Sequence, residues 1–257
     1  MSTLAVNRQH LAHELDDGVA ARAAIGLIVL ATDHTIEHEW RELLHPLPGV
    51  AFFESRIPNS ATITPETLAE MEQHIAGCTA VIRPGERIDV MAYGCTSGAM
   101  VMGADAVTAR VHEARPGVPC TNPFTAGMTA LEALGVRRLA LLTPYIDEVN
   151  QWMRGEIEQQ GLEVPVMGSF NLSVDNDVAR IREQSVEDAL VELGSEDAVD
   201  GVFVSCTSLR VASIVERAEQ RIGKPVTASN HAMAWHALRL AGVNDTIPGY
   251  GRLFREL

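Results

Sequence analysis

Short apolar segments alternate with amphipathic segments along most of this chain. Runs of aliphatic and β-branched residues predict strands, and apolar residues spaced three and four positions apart predict the helices between them. The strand pattern is clearest at residues 25–30, 88–93, 138–143, 164–167, 202–205 and 225–227. Because strands and helices alternate, we expect an α/β fold with parallel sheets and helices on both faces.

Helix signals stand between these strands. Thr64 is placed to cap a helix, Pro65 takes its first position and Glu66 lies in its first turn. We expect this helix to continue through Met71 and Ile75. Further helices are predicted at residues 36–44, 144–160, 186–193 and 232–240.

Two stretches of the chain resemble each other. Residues 88–97 and 199–208 each read as a buried strand that runs into a Cys-Thr-Ser turn, which contains Cys95 in one case and Cys206 in the other. A residue just past the C-terminal end of a parallel strand faces the crevice in which α/β proteins bind ligands. The two thiols are therefore expected on opposite sides of one small molecule.

The spacing of these residues indicates an internal duplication. Cys206 lies 111 positions after Cys95, and Tyr145 lies 112 positions after Asp33. We expect two Rossmann-like parallel-sheet halves related by a pseudo-twofold axis, with the active site in the cleft between them. Their predicted boundaries are 1–119 with 226–257 for the first half, and 120–225 for the second.

Composition narrows the class of protein. A net charge of −14 over 257 residues argues against nucleic-acid and anionic-membrane partners, which need a basic surface. The first 18 residues are polar, and the longest apolar run, 23–31, is far shorter than the roughly 20 residues of a membrane helix. Four cysteines show neither disulfide-scaffold spacing nor a C-x-x-C pair. We expect a reduced, cytoplasmic protein.

The sequence also argues against cofactors and metals. No glycine-rich nucleotide fingerprint follows a strand, and the only lysine, Lys224, lies in a loop, where it is poorly placed for a Schiff base with pyridoxal phosphate. His34 and His38 are four positions apart and could in principle bind a metal. Without an H-E-x-x-H pattern, a solvated helix face is the better interpretation. No cofactor and no metal are expected.

Two facing thiols have a specific chemistry. A thiolate at a helix N-terminus is stabilised by backbone N–H groups, and it is both a base and a nucleophile. One sulfur can remove a proton from one face of a carbon while the other returns a proton to the opposite face, which is racemisation. The same pair can add a thiolate to a C=C bond, allow rotation and eliminate, which is cis–trans isomerisation.

Each candidate residue could instead have a purely structural role. A single buried cysteine usually acts as a small apolar side chain, and this interpretation is preferred for Cys78 and Cys120. The matched Cys-Thr-Ser turns favour catalysis for the other two cysteines. Thr96, Ser97 and Thr207 are expected to combine capping with carboxylate binding through their N–H groups. Asp33 and Tyr145 are expected at the same cleft, where they would orient the substrate, and Asn230 is a possible substrate contact. Asn230 could instead cap the last long helix.

Several stretches together resemble the aspartate/glutamate racemase superfamily, across nearly the whole chain. They are closest to the branch with maleate isomerase, arylmalonate decarboxylase and ectoine-utilisation proteins. The stretches that carry the resemblance are Gly26-Leu27-Ile28-Val29 with Asp33-His34-Thr35-Ile36-Glu37, Tyr93-Gly94-Cys95-Thr96-Ser97-Gly98, Leu141-Leu142-Thr143-Pro144-Tyr145, Ser205-Cys206-Thr207 and Ser229-Asn230 to Trp235.

The resemblance implies that Cys95 and Cys206 are the catalytic pair, that Tyr145 hydrogen-bonds the substrate and that the protein is a homo-oligomer. Arylmalonate decarboxylases retain only the second cysteine, so Cys95 argues against plain decarboxylation. Maleate isomerases carry an asparagine where this chain has Asp33. An ionised aspartate would repel a second carboxylate and suits a cationic nitrogen.

The sequence therefore predicts a cofactor-independent racemase or isomerase that acts on a small carboxylate, either amino-acid-like or ectoine-like. Two enzyme alternatives stay open, namely maleate cis–trans isomerisation and arylmalonate-type decarboxylation. A two-lobed binding protein without catalysis is the alternative from another class.

Overall fold

The computed structural model describes residues 6–60, 62 and 64–257, and these residues form two parallel sheets flanked by helices. The strands of the first sheet are β1 Ala23–Leu30, β2 Val50–Ile57, β3 Val90–Gly94 and β4 Cys120–Thr121. The strands of the second sheet are β5 Arg138–Thr143, β6 Glu163–Ser169, β7 Gly201–Val204 and β8 Val226–Ala228.

Both sheets have the same strand order. The first runs β2-β1-β3-β4 and the second β6-β5-β7-β8, with parallel pairing throughout. Each strand of the second sheet thus takes the place of the strand four earlier in chain order. The predicted α/β fold, with two parallel-sheet halves that repeat one topology, is confirmed.

Helices connect the strands and cover the sheets. Their bounds are α1 Ile36–Leu44, α2 Pro65–Ala69, α3 Glu72–Ala80, α4 Thr96–Met102, α5 Ala104–Ala114, α6 Pro123–Ala133, α7 Asp147–Gln159, α8 Asp175–Val178, α9 Glu183–Gly194, α10 Val215–Ile222, α11 Ser229–Leu240 and α12 Gly251–Glu256. A single 3-10 turn, Ala212–Ile214, precedes α10. No helix in the described part of the chain is long and apolar enough to cross a membrane.

The central strands are buried along their whole length. Every residue of β1, β3 and β7 is buried, because helices cover both faces of each sheet. This explains why these strands read as continuous apolar runs, whereas β2 mixes half-buried and exposed residues. The alternating character of β2 carried no clear strand signal, and sequence analysis missed it.

A pair of aspartates marks the duplication at the other end of the strands. Asp89 accepts a hydrogen bond from the Ala24 backbone N–H at 2.8 Å. Asp200, 111 positions later, accepts from the N–H groups of Arg137 and Arg138 at 2.9 and 2.8 Å. Each aspartate therefore ties the start of a cysteine-bearing strand to the start of its neighbour in the same sheet.

Strand pairing shifts the predicted boundaries of the two halves. β4 pairs with β3 in the first sheet, although residue 120 was expected to open the second half. β8 pairs with β7 in the second sheet, although residue 226 was expected to return to the first half. β4 has two residues, too short to carry a pattern of its own, and β8 was predicted as a strand but assigned to the other half. After β8 the chain does return, since α11 packs on α1 and α6.

Two helices have bounds in the structure that differ from those predicted from the sequence. The Thr64 side chain caps α2 as expected, in a reciprocal capping box with Thr67. That helix ends at Ala69 and a separate helix, α3, begins at Glu72. The helix expected from residue 144 begins at Asp147, because Tyr145 and Ile146 belong to the turn that follows β5.

Candidate active site

A small buried cavity lies where strands of both sheets end, with a volume of about 30 Å³. Six of the predicted site residues line it: Cys95, Cys206, Tyr145, Thr96, Ser97 and Thr207. Asp175 also lines it, and sequence analysis missed this residue. The two halves thus bring both thiols to one enclosed space. Asp33 and Asn230 lie outside this lining.

Cys95 occupies the N-cap of α4. Its backbone is extended, and its Sγ accepts a hydrogen bond from the Gly98 N–H at 3.3 Å. The Ser97 hydroxyl lies 3.9 Å from the same sulfur. Both groups stabilise a thiolate, as expected for a cysteine at a helix start. Burial nevertheless dominates and raises the pKa of Cys95 to about 12.

Cys206 has a different backbone from its counterpart. Unlike Cys95, it does not begin a helix: residues 207 and 208 form a turn, and the next helical residues are those of the 3-10 turn. Cys206 has a φ of 150°, which is sparsely populated by residues other than glycine. Its pKa is raised by burial and by the negative charge of Asp175, against the Tyr145 hydroxyl and the Ser208 N–H, which lower it.

Each sulfur has a buried tyrosine as a neighbour. The Tyr145 hydroxyl is a neighbour of Cys206 and lowers the pKa of that thiol, while burial raises the pKa of the phenol well above its ordinary range, so that it stays neutral. Tyr93 is the corresponding neighbour of Cys95, and its hydroxyl donates to Met71 Sδ at 3.6 Å. Sequence analysis missed Tyr93 because it reads as the last apolar residue of β3.

One hydroxyl joins the two cysteine turns. Ser229, at the start of α11, accepts a hydrogen bond from the Cys206 N–H at 3.0 Å. The same oxygen lies 2.8 Å from the Thr96 hydroxyl. Both side chains are fully buried. Ser229 therefore fixes the spacing between the two turns, a role that its position in the sequence did not indicate.

Asp33 lies at the end of β1, where sequence analysis expected it. Its Oδ1 accepts from the N–H groups of Thr35 and Ile36 at 2.6 and 2.9 Å, so it caps the first turn of α1. Its Oδ2 is buried without a hydrogen-bond partner among the described residues. Burial raises the pKa of Asp33 to about 6, although the two N–H groups lower it.

Asp175 bridges the two halves at the edge of the cavity. Its Oδ2 accepts from the Thr32 hydroxyl and its Oδ1 from the Ser208 hydroxyl, both at 2.6 Å. Thr32 follows β1 and Ser208 follows β7, so the carboxylate connects a loop of each half. The residue begins α8 in a polar stretch, where nothing in the pattern singles it out.

Asn230 is placed within α11 and does not cap it, since the N-cap position is Ala228. Its Nδ2 donates to the Thr207 carbonyl and to Glu39 Oε2, each at 2.7 Å. The amide is thus directed to the backbone behind Cys206. Asn122, by contrast, does cap a helix, and accepts from the N–H groups of Phe124 and Thr125.

The electrostatics of the cavity are negative. Its described lining includes no lysine, arginine or histidine. The charges of Asp33 and Asp175 both raise the pKa of Cys95 and of Cys206. His34 and His38 face other partners, Asn176 and Glu42, and no cluster of three metal-binding side chains occurs among the described residues. The site therefore presents two neutral thiols beside two acidic groups.

Gly98 gives a test of the packing around Cys95. A Cβ at this position would lie 2.9 Å from Tyr93 Oη and 3.0 Å from Cys95 Sγ. We expect Gly98→Ala to lower the free energy of unfolding by about 1–3 kcal/mol through overpacking. Gly77, in α3, has open space at its Cβ position. Gly77→Ala should raise stability by roughly 0.5–1 kcal/mol. Urea unfolding measures both, and a Gly98→Ala variant as stable as Gly77→Ala would contradict the geometry.

Asp33 gives a test of the buried charge. Its carboxyl has a raised pKa in the folded state, so the proton stabilises the fold at low pH, and this contribution is lost as pH rises through about 6. The stability of the wild-type protein relative to Asp33→Asn should fall by about 2 kcal/mol from about pH 4.5 to about pH 7.5. Urea unfolding across that range measures it. Asp177→Asn, at an exposed position, controls for the loss of a carboxyl group, and a flat result for Asp33→Asn would be contrary evidence.

Comparison with known proteins places this geometry in a family. The arylmalonate decarboxylase family profile matches residues 25–254. Arylmalonate decarboxylase of Bordetella bronchiseptica is 38% identical over 154 residues, which cover 59% of this chain and 63% of that protein. Maleate isomerase of Nocardia farcinica is 30% identical over 241 residues, 90% of this chain and 95% of that protein.

A solved structure agrees with these matches. A cysteine-to-serine mutant of Nocardia farcinica maleate cis-trans isomerase, with a covalently bound succinylcysteine intermediate, has a TM-score of 0.82 at 27% identity and covers 91% of this chain and 99% of that chain. The predicted membership of a family of isomerase-type enzymes is thereby confirmed. The chain belongs to the arylmalonate decarboxylase and maleate isomerase family of the aspartate/glutamate racemase superfamily.

Proposed function

We propose that this protein is a cofactor-independent racemase or isomerase that uses Cys95 and Cys206 as a pair on a small carboxylate that carries a basic nitrogen. Amino-acid-like and ectoine-like compounds are the substrate classes. The observation that carries the proposal is that both thiols, delivered by matching strand ends, line one enclosed cavity. This arrangement suits attack from opposite faces of one substrate carbon.

The proton balance of such a reaction is simple. One cysteine first gives its proton to solvent. As thiolate it then takes the proton from the substrate carbon, and the electron pair left behind is delocalised into the adjacent carboxylate. The second cysteine, as thiol, gives its proton to the opposite face of that carbon. The carbon is inverted, the two sulfurs have exchanged protonation states, and no oxidant or reductant is needed.

The charge of the site supports a nitrogen-bearing substrate. Both thiols have raised pKa values because they are buried and lie near Asp33 and Asp175. A dicarboxylate would add negative charge and raise those pKa values further, whereas a cationic nitrogen would lower them and favour the thiolate. A positively charged substrate thus helps to generate the base that acts on it.

The substrate carboxylate requires a separate set of donors. Thr96, Ser97 and Thr207 line the cavity, and their hydroxyls and turn N–H groups can hold a carboxylate without a cation. Tyr145 adds a neutral phenol donor beside Cys206. The acidic pair would then face the nitrogen, so that the two ends of an amino acid are distinguished by opposite sides of the site.

The alternatives differ in their products. Covalent addition of a thiolate to a C=C bond would make this chain a maleate isomerase like the Nocardia farcinica protein, and its product would be fumarate. An arylmalonate-type decarboxylase would release carbon dioxide, and a binding protein would give no product. Incubation in D₂O with amino acids, maleate, malonates and ectoine derivatives, followed by NMR, distinguishes all four outcomes.

The cysteine pair gives the first functional prediction. On a substrate identified in that panel, Cys95→Ser and Cys206→Ser should each lower kcat/KM by roughly 10²- to 10⁴-fold, the usual contribution of a general acid or base. Cys78→Ser is the matched control, because Cys78 lies on α3 and donates to the Arg56 carbonyl. Turnover that survives both cysteine substitutions would overturn the proposal.

The two acidic residues near the thiols, Asp33 and Asp175, give the second functional prediction. Asp33→Asn and Asp175→Asn together should raise KM for a cationic substrate about tenfold or more, since each removes one charge near the nitrogen, and should improve the relative rate on maleate. Asp177→Asn controls for a charge change on the same helix as Asp175, because Asp177 is exposed and pairs with Arg180. Equal effects of all three substitutions on every substrate would argue against charge selection.

A further inference from the structure

A buried carboxylate on α1 crosses from the first half to the loop behind Cys206. Glu39 is 3% exposed. Its Oε1 accepts from the N–H groups of Val211 and Ala212 at 2.6 and 2.7 Å. Its Oε2 accepts from Asn230 Nδ2 at 2.7 Å. Sequence analysis passed over this residue because a glutamate in an amphipathic helix reads as part of the solvated face.

The contact continues to the residue next to Cys206. Asn230 Nδ2, besides donating to Glu39, donates to the Thr207 carbonyl at 2.7 Å. The Thr35 hydroxyl, also beside α1, donates to the Ser208 carbonyl at 2.9 Å. The loop after Cys206 is therefore held at its start through Asn230 and Thr35, and at its end through Glu39 directly.

This restraint falls on a strained segment. Cys206 has a φ of 150°, and such backbone persists only where its surroundings hold it. Burial also disfavours the charged form of Glu39. It raises the pKa of this carboxyl to about 7, although three N–H donors lower it. No arginine or lysine is among its hydrogen-bond or ion-pair partners in the described structure. Loss of this carboxylate would leave two backbone N–H groups and the Asn230 amide buried without their acceptor, so it holds the loop behind Cys206 in one conformation.

We propose that Glu39 is a positioning residue, which acts through Asn230 on the Thr207 carbonyl and so fixes Cys206 opposite Cys95. The proposal rests on the proposed two-cysteine function. It gives Asn230 a role behind the cavity wall, in place of a substrate contact. It also makes α1 of the first half responsible for the geometry of the thiol carried by the second half.

The test uses Glu39→Gln. The glutamine oxygen can still accept from Val211 and Ala212, but its NH₂ would face Asn230 Nδ2, so the bond that links residue 39 to Asn230, and through it to Thr207, is lost. We expect kcat to fall about 10- to 100-fold with KM nearly unchanged. Alkylation by iodoacetamide, mapped by mass spectrometry, should show a changed labelling rate of Cys206 relative to Cys95.

Glu219→Gln is the matched control. Glu219 is another buried helix carboxylate, which accepts from the N–H groups of Val226 and Arg252 and does not contact the Cys206 loop. It should alter stability without altering the labelling ratio of the two cysteines. Thermal unfolding of both variants shows that they are folded when kinetics are measured.

Asn230→Ala provides an independent variant. If the two residues act in series, it should lower kcat as Glu39→Gln does, and the double variant should be no worse than either single one. Additive losses would overturn the inference, as would a raised KM with unchanged kcat, which indicates a substrate contact. Full activity of Glu39→Gln while Cys206→Ser is inactive overturns the positioning role alone. Activity of Cys206→Ser instead overturns the proposed function.

Discussion

The structure depends on two parallel strand ends, one from each sheet, that place Cys95 and Cys206 at one buried cavity. The enclosed site removes water from both sulfurs, and this desolvation is the largest cause of their raised pKa values. The same enclosure strengthens every charge and dipole that faces the cavity. The pKa values of both thiols are therefore set mainly by burial and by the groups that surround them.

Hydrogen bonds between the halves maintain this arrangement at three points around the cavity. Ser229 connects the two cysteine turns, Asp175 connects Thr32 with Ser208, and Glu39 reaches the loop behind Cys206 through Asn230. These groups are buried, and each would be costly without its partner. A small displacement of one half relative to the other would break several of these bonds together, so the thiols keep one relative position.

The sequence predicted the elements whose pattern is local. The central strands are buried on both faces, so their continuous apolar runs identified them as strands. The cysteine turns were predicted to face a cleft because they stand at the ends of such strands. β2 was missed because its exposed face dilutes the signal. Asp175 and Glu39 were missed for a different reason. Each functions through partners more than 30 positions away, such as Ser208 and Asn230, and no spacing along the chain encodes that proximity.

The strongest constraint on chemistry comes from charge. Two acidic side chains raise the pKa of both thiols, and the described lining of the cavity offers no cation in return. Burial and these charges therefore favour the protonated form of both cysteines in the absence of substrate. If the missing positive charge arrives with the substrate, the thiolate is favoured most when a molecule of suitable charge is enclosed. Selectivity and activation would then have a single electrostatic origin.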